Sequence, residues 1–433
     1  MKISKFQIIF LSAFVIFIVA GVIGFATYKG SGSTQALPQI TIWGTFPKDQ
    51  FDQFMAKVNS GRAQQFYIKY VQEPQASFLG DFIAALARQQ GPDAILVPAD
   101  MLLSLQDKLV KVPYSAYPQR TYLDTFVDEG RAYLASDGIL GVPFAIDPMV
   151  MYWNRDTFNA AGIAAPPRYW DDFKGLDAKL TEKSDSGIVT KSALAMGDFT
   201  NVTNAREILG TLMLQSGNPI TVANSAGIIV SAIKPSYAPS PVQAVTFFSQ
   251  AVDPASDSYS WNRSWPDSRT AFLSGKLATY LAPASEIYQL RAKNPNLAFD
   301  VAAMPQWQSG GVAATYARLY GFSITKQSQN ANAAFQMIYA MTQPQYLAAL
   351  SSMTYLPPVS RASIASGTTD PYMDIFEKEA LISRTWLDAD PTQSATLFGG
   401  MIQAVTSGQK SVSQALSDAS GQYDALLQQA VGQ

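Results

Sequence analysis

The sequence contains no cysteine and no histidine, and charged residues fill only 15% of its 433 positions. Without cysteine there are no disulfides, no thiolate nucleophile and no cysteine-based zinc site. Without histidine the usual general base, the Ser-His-Asp triad and the commonest metal ligand are excluded. A net charge of −2 and a pI near 5.4 argue against a nucleic-acid groove, which needs a basic excess. Hydrophobic residues make up 48% and aromatics 12%, a balance that suits an uncharged ligand better than a polyanion. The length allows two or three domains with full cores.

Between Lys5 and Lys29 run 23 residues without a charge, Phe6 to Tyr28. As a helix they would span roughly 35 Å, enough to cross a bilayer core of about 30 Å. A cleaved signal peptide, whose apolar region is usually ~7–15 residues long, is the competing reading, with Gly24-Phe25-Ala26 as its cleavage site. Residues 1–28 are therefore expected to be a single-pass anchor with the N-terminus inside; cleavage would leave a secreted or periplasmic protein instead. The absence of cysteine excludes a lipid anchor. Residues 29–38 read as a flexible Gly/Ser-rich linker spanning roughly 17–20 Å.

From Gln39 onward, short apolar runs alternate with amphipathic helices. Ile40–Phe46 reads as a buried strand, followed by a helix carrying Phe51, Phe54, Met55 and Val58 and closed by Ser60-Gly61. Phe66–Val71 is a second strand. Ser77 is expected to cap a helix with Phe78, Phe82, Ile83 and Leu86 on one face, and Ala94–Val97 is a third strand. Strands alternating with helices at this spacing imply a parallel α/β sheet. A second sheet is expected to begin near Ile139–Pro143 and Met149–Trp153, Gly217–Pro241 reads as the least structured region, and the C-terminal third is helical.

One run carries more specific information. Gly141-Val142-Pro143, Met151-Tyr152-Trp153-Asn154-Arg155-Asp156, Phe158, Ala161-Gly162-Ile163 and Pro167 to Trp170-Asp171-Asp172-Phe173 resemble the signature of bacterial extracellular solute-binding protein family 1. These are the maltose-binding-protein-like receptors of ABC sugar importers. GPDAILVPAD at Gly91–Asp100, SRTAFLSGKLATYLAPAS at Ser268–Ser285, FDVAAMP at Phe299–Pro305, GFSITK at Gly321–Lys326 and SGQKSVSQAL at Ser407–Leu416 follow in consistent order. Read locally, Asn154 suits a turn into a short helix that Gly162 stops.

The resemblance implies an α/β, two-lobed periplasmic-binding-protein-like fold with ligand in the cleft between the lobes. It places hinge crossings near Phe144–Pro148, Leu281–Pro283 and Leu319–Ser323. Lobe one is expected at 39–145 plus 282–320, and lobe two at 146–281 plus 321–433. It also implies a monomeric receptor that captures a carbohydrate and delivers it to ABC permease subunits in the same membrane, with no cofactor, no metal and no catalytic residue. A sensor ectodomain of the same fold remains an alternative. So, more remotely, does a glycan hydrolase built on carboxylates such as Asp100, Asp147 and Glu286.

A sugar site calls for aromatic platforms and hydrogen-bonding or charged groups. By position in the family's motifs, Asp100, Asp147 and Trp43 are ligand-contact candidates. Trp261 and Trp265 lie in SYSWNRSWPDS, a polar stretch that offers little in which to bury two indoles, and Trp265 is favoured. Trp386 precedes the last helices, where the family often stacks a sugar on an aromatic ring. Tyr320 and Arg318 flank the third crossing. Tyr152 and Trp153 are read as core.

Overall fold

The computed structural model describes residues 38–59 and 67–432. The expected N-terminal anchor, most of the linker and the Ser60-Gly61 helix end lie outside the described residues. Among those residues, no helix is long and apolar enough to cross a membrane.

Lobe one begins with β1 (Gln39–Gly44), α1 (Lys48–Asn59), β2 (Tyr67–Gln72), α2 (Phe78–Ala87) and β3 (Ala94–Pro98), the expected alternation. β1 pairs in parallel with both β2 and β3. α1 buries Phe51 and Phe54, and α2 buries Phe78, Phe82 and Leu86. Ser77 occupies the N-cap position of α2, but its side chain makes no capping hydrogen bond.

The two lobes share one ten-stranded sheet. β4 (Val142–Asn154) is a single continuous strand, where the sequence suggested the start of a separate sheet. All of it but Trp153 is buried, as a strand covered on both faces should be. Its first half pairs antiparallel with β8 (Thr315–Ile324), which in turn pairs with β3. Its second half pairs with β6 (Leu277–Pro283) and β7 (Phe299–Ala302), and β5 (Val189–Leu194) lies beyond β6. The partner of β4 changes between Pro148 and Met149, at the end of the Phe144–Pro148 segment.

The cores divide the chain differently from the expected boundaries. One core joins Ile40–Ile146 with Ala317–Ile364; the other joins Met149–Tyr316 with Met373–Ala430. Residues 284–316 therefore belong with lobe two, and most of 321–364 with lobe one. Leu281–Pro283 does not cross. It ends β6 inside lobe two, and the next helix, α4 (Glu286–Lys293), buries Ile287 and Leu290 in the same core. β8 is the second crossing. The third runs through α5 (Pro371–Leu381), which gives Met373 and Phe376 to lobe two and Ala380 to lobe one.

Local readings fared well in the signature run. Asn154 caps the helix Arg155–Ala160, accepting a hydrogen bond from Thr157 N at 3.0 Å. Gly162, two residues past that helix, has φ +68°, the left-handed conformation that favours glycine. The Gly217–Pro241 region is more ordered than its composition suggested, because Thr221–Ala223 and Ile229–Ser231 pair as a small antiparallel ladder.

Candidate ligand-binding cleft

The hinge strands carry two charged residues that face each other. Arg318 on β8 lies directly opposite Asp147 on β4, the only charged residue in each strand. Arg318 also approaches Glu207 at 3.6 Å, and its Nε has no hydrogen-bond partner. Tyr320, two residues on, is buried edge-on against Phe46.

Asp147 is 5% exposed and both of its oxygens are taken. Ser285 donates its backbone N–H to Oδ1 at 3.0 Å and its hydroxyl to Oδ2 at 2.7 Å. Burial pushes the Asp147 carboxyl up despite these bonds. Asp147, expected as a ligand contact, thus fastens hinge strand β4 to the start of α4.

Beside the hinge lies a buried ionic cluster that joins the lobes. Arg206 stands in the first turn of α3 (Ala205–Gln215) and is 4% exposed. Its Nη2 donates to Asp100 Oδ2 at 3.1 Å and to Asp388 Oδ2 at 2.6 Å, and its Nε donates to Ser394 at 3.0 Å. Tyr316 on β8 donates to Asp100 Oδ2 at 2.9 Å, and Tyr423 donates to Asp388 Oδ1 at 2.8 Å. Burial raises the Asp100 carboxyl, with Arg206 pulling the other way, and Asp100 Oδ1 has no partner. Asp100, expected as a ligand contact, is therefore enclosed within protein.

The tryptophans divide sharply. Trp261 is fully buried, its indole donating to Asn201 Oδ1 at 2.8 Å. Asn201 also holds the loop by donating to the carbonyls of Asn262 and Trp265. The view that this stretch could not bury its indoles is corrected, because Asn201, sixty positions earlier, supplies the polar partner. Trp265 is half-buried with its ring 5.0 Å from that of Trp261. Trp386 is 3% exposed, donates to Tyr423, and carries the Arg206 guanidinium 4.4 Å from its ring centre. Trp43 is half-buried on β1, facing Val71 and Ile95 in the ladders. Tyr152 is core, as expected, and Trp153 packs edge-on against Phe158.

The open space lies nearby. A cavity of about 350 Å³ is bounded by Gln75 of lobe one and by Phe199, Asn204, Glu207 and Thr392 of lobe two. Beside it, sharing the walls Phe199, Thr392 and Ala395, lies a second, open chamber of about 530 Å³. That chamber is lined by Asp198, Thr200, Arg263, Gly400 and Gln403. A larger cavity of about 680 Å³ lies past the Arg206–Trp386 stack, with Trp386 in its wall. It lies between the lobes, lined by Asp128, Glu129, Arg131 and Ala132 of lobe one and by Leu214, Asn218, Thr221 and Val312 of lobe two. All three border the region between the lobes, and the 680 Å³ cavity draws the most residues from both of them.

Arg263 Nε donates to Asp198 Oδ2 at 2.6 Å, while Thr200 donates to Oδ1 through both its backbone N–H and its hydroxyl. Burial alone would raise the Asp198 carboxyl; these hydrogen bonds override it and hold it below the usual range. The Asp198 carboxylate is thus satisfied within the protein, while Arg263 remains more than half exposed.

None of the eight expected residues except Trp386 lines any of these three cavities, and Trp386 lines the 680 Å³ one between the lobes. Sequence reasoning missed Arg206, Glu207, Asp198 and Arg263. A signal existed for two of them: Arg206-Glu207 is a charged pair opening the apolar run AREILGTLML in a charge-poor chain. Arg263 sat between the two tryptophans that were singled out.

Two α/β lobes on one interrupted sheet, with a polar cleft over the hinge, define the class of two-lobed binding proteins whose ligand lies between domains. The chain belongs to the bacterial extracellular solute-binding proteins, whose family model matches residues 50–375. A binding protein of Brucella abortus (strain 2308) is 23% identical over 327 residues, 71% of each chain. Among solved structures, the GacH receptor of Streptomyces glaucescens, determined unliganded and with acarbose, is similar with a TM-score of 0.69. It is 17% identical, over 90% of this chain and 98% of that one. The sugar-binding protein MalE of Xanthomonas citri matches with the same score, identity and coverage.

Proposed function

We propose that this chain captures a neutral carbohydrate in the inter-lobe groove and delivers it to the permease of an ABC importer, performing no chemistry on it. The observation that carries this reading is a two-lobed fold whose cavities offer threonine, asparagine and glutamine side chains and, between the lobes, as many acidic as basic ones. Such a surface offers many hydrogen bonds and little net field, the complement of an uncharged polyhydroxylated molecule. The similarity to an acarbose-bound receptor and to a sugar-binding protein supports the same ligand class. The uncharged N-terminal run would hold the receptor, as a monomer, near its permease, with the folded part outside the cytoplasm.

Thermal-shift screening against neutral mono- and oligosaccharides, amino acids and polyamines tests the proposal. A sugar present at 100 times its Kd adds about 2.7 kcal/mol of stability and a clear rise in Tm. Stabilisation by charged solutes alone would contradict it.

A further inference from the structure

Glu129 differs from every other acidic residue that lines the three cavities. Asp128 has Arg131 and Arg361 beside it, Asp198 has Arg263, and Glu207 has Arg206 and Arg318. Glu129, in the short helix Asp128–Tyr133 of lobe one, is 5% exposed and borders the 680 Å³ cavity between the lobes. Its Oε1 is sealed from water and has no hydrogen-bond partner. A carboxylate with one oxygen dry and unpaired carries a large desolvation cost, so the group holds its proton. Burial pushes it up to about 8; Arg384 and the Thr385 N–H pull the other way, while Asp128 and Asp100 add to the rise.

The facing wall of lobe two, with Leu214, Asn218, Thr221 and Val312, carries no charge and offers Glu129 no partner. Asn218 spends its amide on the Ala232 and Pro239 carbonyls and its oxygen on Ile220 N, and the Thr221 hydroxyl donates to Leu387. The acid proton is left for whatever enters the cavity. Resting on the carbohydrate reading above, we infer that Glu129 reads the ligand as a neutral carboxylic acid, donating a hydrogen bond to an uncharged ligand oxygen, so that capture is linked to a proton. A ligand that binds only the acid form must draw a proton from solution once free Glu129 has ionised, and its affinity falls as pH rises through 8. A ligand ammonium would do the reverse, favouring the carboxylate and expelling the proton.

The full chain is screened at pH 7 on an array of neutral mono- to hexasaccharides, and the tightest-binding glycan is titrated by calorimetry from pH 6 to pH 9. Wild-type affinity is expected to be level up to about pH 7 and about tenfold weaker at pH 9. At pH 9, paired buffers of different ionisation enthalpy should show uptake approaching one proton per glycan. Glu129→Gln, which keeps a neutral donor, is expected to lose both the slope and the proton uptake while still binding more tightly than Glu129→Ala. Glu129→Ala is expected to bind weakly at every pH. Glu379→Gln is the control: that carboxyl is likewise pushed up to about 8 but lines none of the three cavities, so the variant should keep the slope.

Level affinity from pH 6 to pH 9, or proton release on binding, removes Glu129 from the ligand's contacts and leaves the carbohydrate reading standing; the wild type alone decides this. A slope that survives in Glu129→Gln, or vanishes in Glu379→Gln, assigns the titration elsewhere and overturns the inference in the same way. If no glycan on the array binds at pH 7, the carbohydrate reading itself fails.

Discussion

Arg206 makes the largest single demand on the fold. It is a guanidinium withdrawn from water between two buried carboxylates, and such clusters are destabilised by losing one member far more than they stabilise as a whole. Arg206→Ala should therefore destabilise the protein by about 3–5 kcal/mol in urea unfolding, because Asp100 and Asp388 would be left without their cation. Isolated carboxyls elsewhere make stability depend on pH. Burial pushes both Glu379 and Glu129 up to about 8, and each has an oxygen with no partner. With folded values near 8 and unfolded values near 4.5, the native state binds more protons between those limits, so stability falls as pH rises through that window and levels off above it. Glu379→Gln should flatten part of that decline in melting temperature between about pH 5 and pH 8. An unchanged slope would mean that Glu379 is not the proton acceptor.

At the scale of elements, the hinge depends on how β4 is held to α4. Each Ser285–Asp147 contact is a hydrogen bond to a charged group, contributing about 1.5–3 kcal/mol. Asp147→Ala should consequently lower the apo melting temperature measurably, whereas a solvated ligand contact would leave it in place. Ser285→Ala, which removes the hydroxyl donor and keeps the backbone one, should cost less than Asp147→Ala in the same melting experiment. What the sequence disclosed at this scale follows the range of the interactions involved. The cap at Asn154 and the stop at Gly162 depend on neighbours within a few residues and were legible. So were β1 to β3, whose apolar runs and intervening helices follow local periodicity. The partners of β6 and of residues 321–364 were not legible, because they are set by pairings across more than a hundred positions. Trp261 was misread for the same reason: its burial rests on Asn201, outside the loop that contains it. Asp100 and Asp147 were singled out as ligand contacts, and their partners Arg206 and Ser285 could be known only from the folded chain.

For the whole molecule, two separate cores joined by β4, β8 and α5 leave relative lobe motion as the soft coordinate. The Arg206 cluster lies beside β8 through Tyr316, and Gln75 borders the neighbouring cavity from lobe one. A ligand can drive closure only by binding the closed form better than the open one. Gln75 touches the shared cavity from lobe one, so it belongs to the closed state's contacts. Gln75→Ala is therefore expected to weaken binding, measured by calorimetric titration, while leaving the apo melting temperature unchanged.

The most direct measurement is small-angle scattering of the protein with and without a saturating concentration of the neutral oligosaccharide it binds best. Capture between hinged lobes predicts a smaller radius of gyration in the complex and a sharper boundary in the distance distribution. A saturated complex whose scattering superimposes on that of the free protein would contradict the account.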